Sequence, residues 1–238
     1  MTSITLTTPD RNEVLRYMGT PPEQANEGLL ALVDTCSAHM LSAACPRWTY
    51  RLSPLRFEDD GVRLDSGLLL PGQSLKNHLS GCDRVVALCA TLGAQADTLI
   101  RQAECSDMLR ALALDCCASA LVEQLCDRAE QQLHALFPDG HSPFRFSPGY
   151  GDLPLEVNTP LLDLLDAPRT IGLCATSSHL LTPRKSVTAL LGLSDHPIQP
   201  HKRSCPGCPA YDGCQYRKSG GHCGISRSET RLNSSHAT

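Results

Sequence analysis

The stretch "SDMLRALALDCCASALVEQLCDRAEQQLHALFPDG", residues 106–140, is the longest periodic element of the chain. Its apolar residues recur at helical spacing. Ser106 or Asp107 can cap its start, and Pro138 and Gly140 stop it. Whatever this chain folds into must lay a helix of that length along its core. "RFSPGYGDLPLE", Arg145 to Glu156, follows almost at once. Two prolines and two glycines in a dozen residues exclude a helix interior there. The segment is a turn, and its arginine and tyrosine raise the question of whether the turn also holds a ligand.

The elements before and after mix two periods. "PPEQANEGLLALVDTCSAHMLSAA" predicts a helix opened by proline in its first turn, with Leu29, Val33, Cys36 and Met40 on one apolar face. "WTYRLSPLRFEDDGVRLDSGLLLPG" changes to strand-like runs, and "FEDDGVRL" reads as a hairpin turn. "DRVVALCATLG" reads as a buried strand ending in glycine. "PRTIGLCATSSHLLTPRKSVTALLGL" reads as two short strands around a polar loop. Helices and strands alternate without βαβ regularity. The expected fold class is therefore α+β, a mixed or antiparallel twisted sheet packed with helices.

Composition sets limits on partners. The 238 residues are 41% apolar but only 4% aromatic, so Leu, Val, Ala and Cys must fill the core. Formal charge is −4, from 21 basic and 25 acidic residues, which argues against a nucleic-acid surface. No apolar run reaches the length of about 18 residues that marks a membrane span. The opening "MTSITLTTPDRNEV" lacks the basic-then-apolar pattern of a signal peptide, so a cytoplasmic protein is expected.

The chain has 13 cysteines. Nine are scattered, several of them in apolar helical stretches, and read as small buried hydrophobes. The other four, Cys205, Cys208, Cys214 and Cys223, have the spacing C-x2-C-x5-C-x8-C among glycines. Four thiolates on such a flexible loop suit zinc or an iron–sulfur cluster, and the spacing leaves both open. Three segments are expected: residues 1–193, a Pro/His linker with a four-Cys metal-binding tail over 194–225, and residues 226–238. The last, "SRSETRLNSSHAT", has no periodicity, resembles translated sequencing adapter more than natural protein, and reads as disordered.

"RFSPGYGDLPLEVNTPLLDLLDAPRTIGLCATSSHLLTPRKSVTALLG" resembles the activation domain of cobalamin-dependent methionine synthase. That domain carries an Arg-x-x-Pro-Gly-Tyr turn, then a helix, an Ile-Gly-x-x-x-Thr-x-Ser strand and a Pro-x-x-Ser-Val segment. The matching positions are Arg145, Pro148, Gly149 and Tyr150, then Ile171 and Gly172, Ser177, and Pro183 to Val187. The upstream "LALDCCASALVEQLCDRAEQ" is similar to the long helix before that turn. The likeness spans residues 80–193 well and 10–80 loosely. After the turn the sequences part, "GDLPLEVNTP" standing in place of the family's continuation. The homocysteine, folate and cobalamin modules have no counterpart here, and the four-Cys tail is an addition.

The resemblance implies an S-adenosylmethionine site, with Arg145 clamping the ligand carboxylate by paired hydrogen bonds. Gly149 would admit the ligand close to the backbone, Tyr150 would offer a ring and a hydroxyl, and Pro148 belongs to the same turn. Glu123 falls where the family's helix carries an acid that can pair with the ligand ammonium; a solvated helix face is the other reading. The implied activity is reductive remethylation of a cobalamin carried by a partner, either a methionine synthase or another corrinoid protein, as a methyltransferase component of methionine biosynthesis. An electron donor is implied too, and an iron–sulfur tail could supply the electron. No general acid or base is required. Two rival readings are a module that binds S-adenosylmethionine on a corrinoid protein without chemistry, and a zinc-stapled scaffold.

Overall fold

The computed structural model describes residues 4–138 and 140–198. Cys205, Cys208, Cys214 and Cys223, with residues 226–238, lie outside the described residues. In chain order the helices are α1 (Arg11–Tyr17), α2 (Glu27–Ala43), α3 (Gln73–His78), α4 (Ala94–Glu104), α5 (Met108–Leu136), α6 (Asn158–Leu164) and α7 (Ala167–Thr170). The strands are β1 (Arg47–Glu58), β2 (Gly61–Leu64), β3 (Leu69–Pro71), β4 (Arg84–Thr91), β5 (Cys174–Ala175), β6 (Leu181–Thr182) and β7 (Ser186–Leu193).

Five strands form one antiparallel sheet in the order β3-β2-β1-β4-β7. β1 changes partner along its length. Arg47–Pro54 pair with β4, and from Leu55 the strand pairs with β2. Pro54, which has no N–H to donate, stands where one partner gives way to the other. The hairpin read from "FEDDGVRL" forms as expected, with Glu58 opposite Gly61. β5 and β6 make a separate two-stranded hairpin.

The sheet is covered on both faces, which explains the unbroken apolar run of β4. Val86, Leu88 and Ala90 of β4, with Ala189, Leu191 and Leu193 of β7, join a core with α1, α2, α4 and α5. The intervening Val85, Ala87, Cys89 and Leu190 join a second core with Leu75 of α3, Leu79 just past its end, and Leu161 and Leu162 of α6. Alternate side chains of a strand face opposite sides, so a strand with two buried faces shows no polar alternation. Each large side chain fully buried in these cores contributes about 1.5–3 kcal/mol of transfer free energy.

The long helix starts at the second of the two capping residues: Asp107 accepts from the Arg110 amide at 3.0 Å. Two sequence readings are corrected. α2 does not open on proline, because Asn26 caps it and accepts from the Leu29 amide at 2.9 Å, while Pro22–Gln24 form a separate 3-10 turn. The segment after α7 holds three strands rather than two, and the last of them, β7, is a full strand of the main sheet.

Candidate functional site: the Arg145–Asp152 turn

After α5 the chain doubles back beside β7. Two backbone bridges hold it there, His141 with Ser194 and Phe146 with Leu190. The Phe146 amide donates to Leu190 at 2.9 Å, and the Leu190 amide donates back at 2.7 Å. Neighbouring residues of this segment serve opposite faces of the sheet. Phe146 is buried in the core of α3 and α6, while Arg145 reaches α5. The His78 ring donates to the Phe144 carbonyl at 2.6 Å and packs against both phenylalanine rings.

Arg145 meets three carboxylates. Nη1 donates to Glu130 Oε2; Nη2 donates to Asp127 Oδ1 at 2.9 Å and to Glu123 Oε2 at 3.2 Å. Residues 123, 127 and 130 are four and three apart, so one face of α5 presents all three. The arginine side chain is 12% exposed, against 22% for Glu130, 48% for Glu123 and 57% for Asp127. Three negative charges against one positive leave a formal surplus of two negative charges. Burial works against the arginine's charge, but Cys126 and then the carboxylates of Glu130, Asp127 and Glu123 outweigh it and hold its pKa above the ordinary value. Burial likewise pushes the Glu130 carboxyl up, but the neighbouring His134 and the Arg145 charge prevail and hold it below the ordinary range. Beneath the arginine, burial drives the Cys126 thiol up to about 12 against the pull of the guanidinium.

The turn is tied to itself and to α3. Gly149 donates to the Leu153 carbonyl at 2.8 Å, and Leu153 donates to Tyr150 at 3.1 Å. Gly149 has φ 91° and Gly151 φ 56°, the region where side chains are strained. A Cβ on Gly151 would also sit 2.5 Å from Ser74 Oγ. Asp152 accepts from the amides of Gln73 at 2.7 Å and Ser74 at 2.9 Å. These backbone donors, Ser74 first, hold its carboxyl below the ordinary range. The segment that departs from the family pattern therefore docks the turn on the first turn of α3.

The residues named from sequence fall as follows. Arg145 and Glu123 come together. Pro148 is buried under the turn, and Gly149 is exposed at its bend. Tyr150, 52% exposed, stands edge-on to Phe146 at 6.0 Å between ring centres, on the far side of the strand segment from α5. Counted from Ile171 and Gly172, the serine of the Ile-Gly-x-x-x-Thr-x-Ser pattern is Ser178 rather than Ser177, and Ser178 bonds Thr176 at 2.9 Å. In the Pro183–Val187 segment, Lys185 pairs with Asp115 at 2.9 Å and Ser119 at 3.0 Å, which ties the entry of β7 to α5. A cleft of about 310 Å³ is lined by Phe57, Cys82, Asp83, Ser194, Asp195 and His196, with none of the turn residues among its walls.

Sequence reading missed Asp127, Glu130 and Asp152. The spacing Glu-x3-Asp-x2-Glu within "EQLCDRAE" was the available signal for the first two. The nine scattered cysteines divide six buried to three exposed (Cys45, Cys105 and Cys174), so most but not all serve as core. Among the described residues, no group of three or more His, Cys, Asp or Glu side chains is arranged to hold a metal. Among them too, no helix is long and apolar enough to cross a membrane.

No family model and no curated protein matches the sequence. Among solved structures, the chain is similar to the crystal structure of the MetH reactivation domain bound to AdoHcy. The identity is 15% and the TM-score 0.59, over 92% of this chain and 84% of that one. The two share a fold: helices packed on a curled antiparallel sheet.

Proposed function

We propose that this protein binds S-adenosylmethionine at the Arg145–Tyr150 turn and serves the reductive remethylation of a cobalamin carried by a partner protein. The carrying observation is the Arg-x-x-Pro-Gly-Tyr turn in a fold shared with a reactivation domain whose crystal structure holds AdoHcy. The donor set suits such a ligand. S-adenosylmethionine presents an ammonium and a sulfonium beside one carboxylate, and an arginine surrounded by surplus carboxylates complements both signs. On this reading Arg145 takes the ligand carboxylate and Glu123 the ammonium. Gly149 leaves the backbone of the exposed turn open to close approach, with Pro148 packed beneath it and Tyr150 offering its ring from the other side of the strand segment. The chain's work is positioning, since methyl transfer to reduced cobalt needs alignment rather than proton transfer.

The partner on this reading is a methionine synthase or another corrinoid protein. Cys205, Cys208, Cys214 and Cys223 are assigned to a zinc or iron–sulfur tail, and an iron–sulfur centre there would be the electron source. Calorimetry with S-adenosylmethionine and AdoHcy tests the ligand. A mixture with cobalt(II) cobalamin-loaded partner, reductant and S-adenosylmethionine tests the reaction. Methylcobalamin should appear by its visible spectrum and fail to appear without S-adenosylmethionine. Binding without methylcobalamin would leave a sensing module; no binding would end the reading. Metal analysis and colour of anaerobically purified protein decide between zinc and iron–sulfur.

A further inference from the structure

The three acids around Arg145 are not equivalent, and their difference bears on how a ligand could enter. Glu130 is the most enclosed of them and takes Nη1 alone. His134 stands 3.9 Å from its other oxygen. Asp127 and Glu123 share Nη2, and about half of each side chain is in solvent. An exposed ion pair is easily exchanged for water, whereas an enclosed one leaves an uncompensated charge behind if it breaks.

We propose that Glu130 is the positioning residue of this site, holding one edge of the Arg145 guanidinium against α5 while the other edge exchanges Asp127 for the carboxylate of an incoming α-amino-acid head group. This rests on the reading of Arg145 as a ligand-binding residue. In the exchange Asp127 acts as a resident competitor: it occupies Nη2 in the empty site and turns to solvent when the ligand arrives. Glu123, on the same edge, stays to meet the ammonium. Glu130 never touches the ligand. Without its anchor the guanidinium is free to follow Asp127 and Glu123 outward, away from the ligand's carboxylate.

The arrangement gives opposite expectations for two isosteric substitutions. Glu130→Gln should weaken S-adenosylmethionine binding about tenfold or more, the scale of one charged hydrogen bond. Asp127→Asn removes the competitor and should bind as tightly as wild type or more tightly. A purely structural role for the cluster predicts loss in both. A second readout needs no ligand. In protein labelled with ¹⁵N-arginine, the slowly exchanging guanidinium resonances of Arg145 should persist in Asp127→Asn and vanish in Glu130→Gln. Should Glu130→Gln not fold, Glu130→Asp withdraws the carboxylate by one methylene, and signal and affinity should fall together. Equal loss of the resonances in both variants, or weaker binding by Asp127→Asn, overturns the proposal. If wild type binds no S-adenosylmethionine while the resonances behave as expected, the ligand reading fails. Glu130 is then a structural anchor only, which also overturns its positioning role.

Discussion

On the proposed reading Arg145 carries two burdens, ligand binding and the pairing of Glu130, and Arg145→Ala removes both. Arg145→Ala should weaken S-adenosylmethionine binding by about 2–4 kcal/mol, the scale of truncating one partner of an enclosed charge pair. The same change leaves Glu130 without its partner and should lower folding stability by about 3–5 kcal/mol. Chemical denaturation beside calorimetry reads the two separately. The pH dependence follows from Glu130. Its folded pKa lies below the ordinary 4.5, so its contribution is complete above that value and is lost as pH falls through the folded pKa. Wild-type Tm should fall on acidification below about pH 4.5, and the fall should be shallower in Glu130→Gln. Arg145, Gly149 and Glu123 were legible as candidates because a turn motif and a helix position mark them. Glu130 was not, because its meaning comes from an arginine 15 residues away that a doubled-back chain returns to it.

At the scale of elements, the clear patterns were those with one face in solvent or with strong punctuation. α5 shows its spacing and its Asp107 cap, and β1 with β2 shows its turn. β7 was harder, because both its faces are buried and no polar residue alternates along Ala189–Leu193. α4 went unread between two stronger signals, although Ala96, Ile100 and Ala103 all face the core. The tightness of β7 can be tested at Gly192. A Cβ there would lie 2.6 Å from Cys82 Sγ and 2.8 Å from Leu79 Cδ2, with Pro143 at 3.3 Å. Gly192→Ala should therefore cost about 1–3 kcal/mol of stability, the range for overfilling a packed core. Thermal or urea unfolding checks it; an unchanged midpoint would mean that Cys82 and Leu79 yield freely.

For the molecule as a whole, the cysteine pattern offers a test of packing. Burial raises the thiols of Cys82, Cys116 and Cys117 to about 11 and that of Cys89 to about 12. Among the nine described cysteines, brief alkylation of folded protein at neutral pH should modify Cys45, Cys105 and Cys174 and spare the six buried ones. Peptide mapping reads the result, and early labelling of Cys117 or Cys126 would mean that the helical layer opens. The doubled-back segment from His141 to Phe146 has one more consequence. It lies along the side of β7 that β4 leaves open, bridged at both ends, with Pro143 between the bridges. Five steps of chain on the outside face four on β7, so the two cannot pair continuously, and the proline offers no donor to a newcomer. The strand that closes the sheet is thereby shielded from recruiting another chain. The same stretch that delivers Arg145 to its acids guards the β7 edge of the sheet against edge-to-edge pairing.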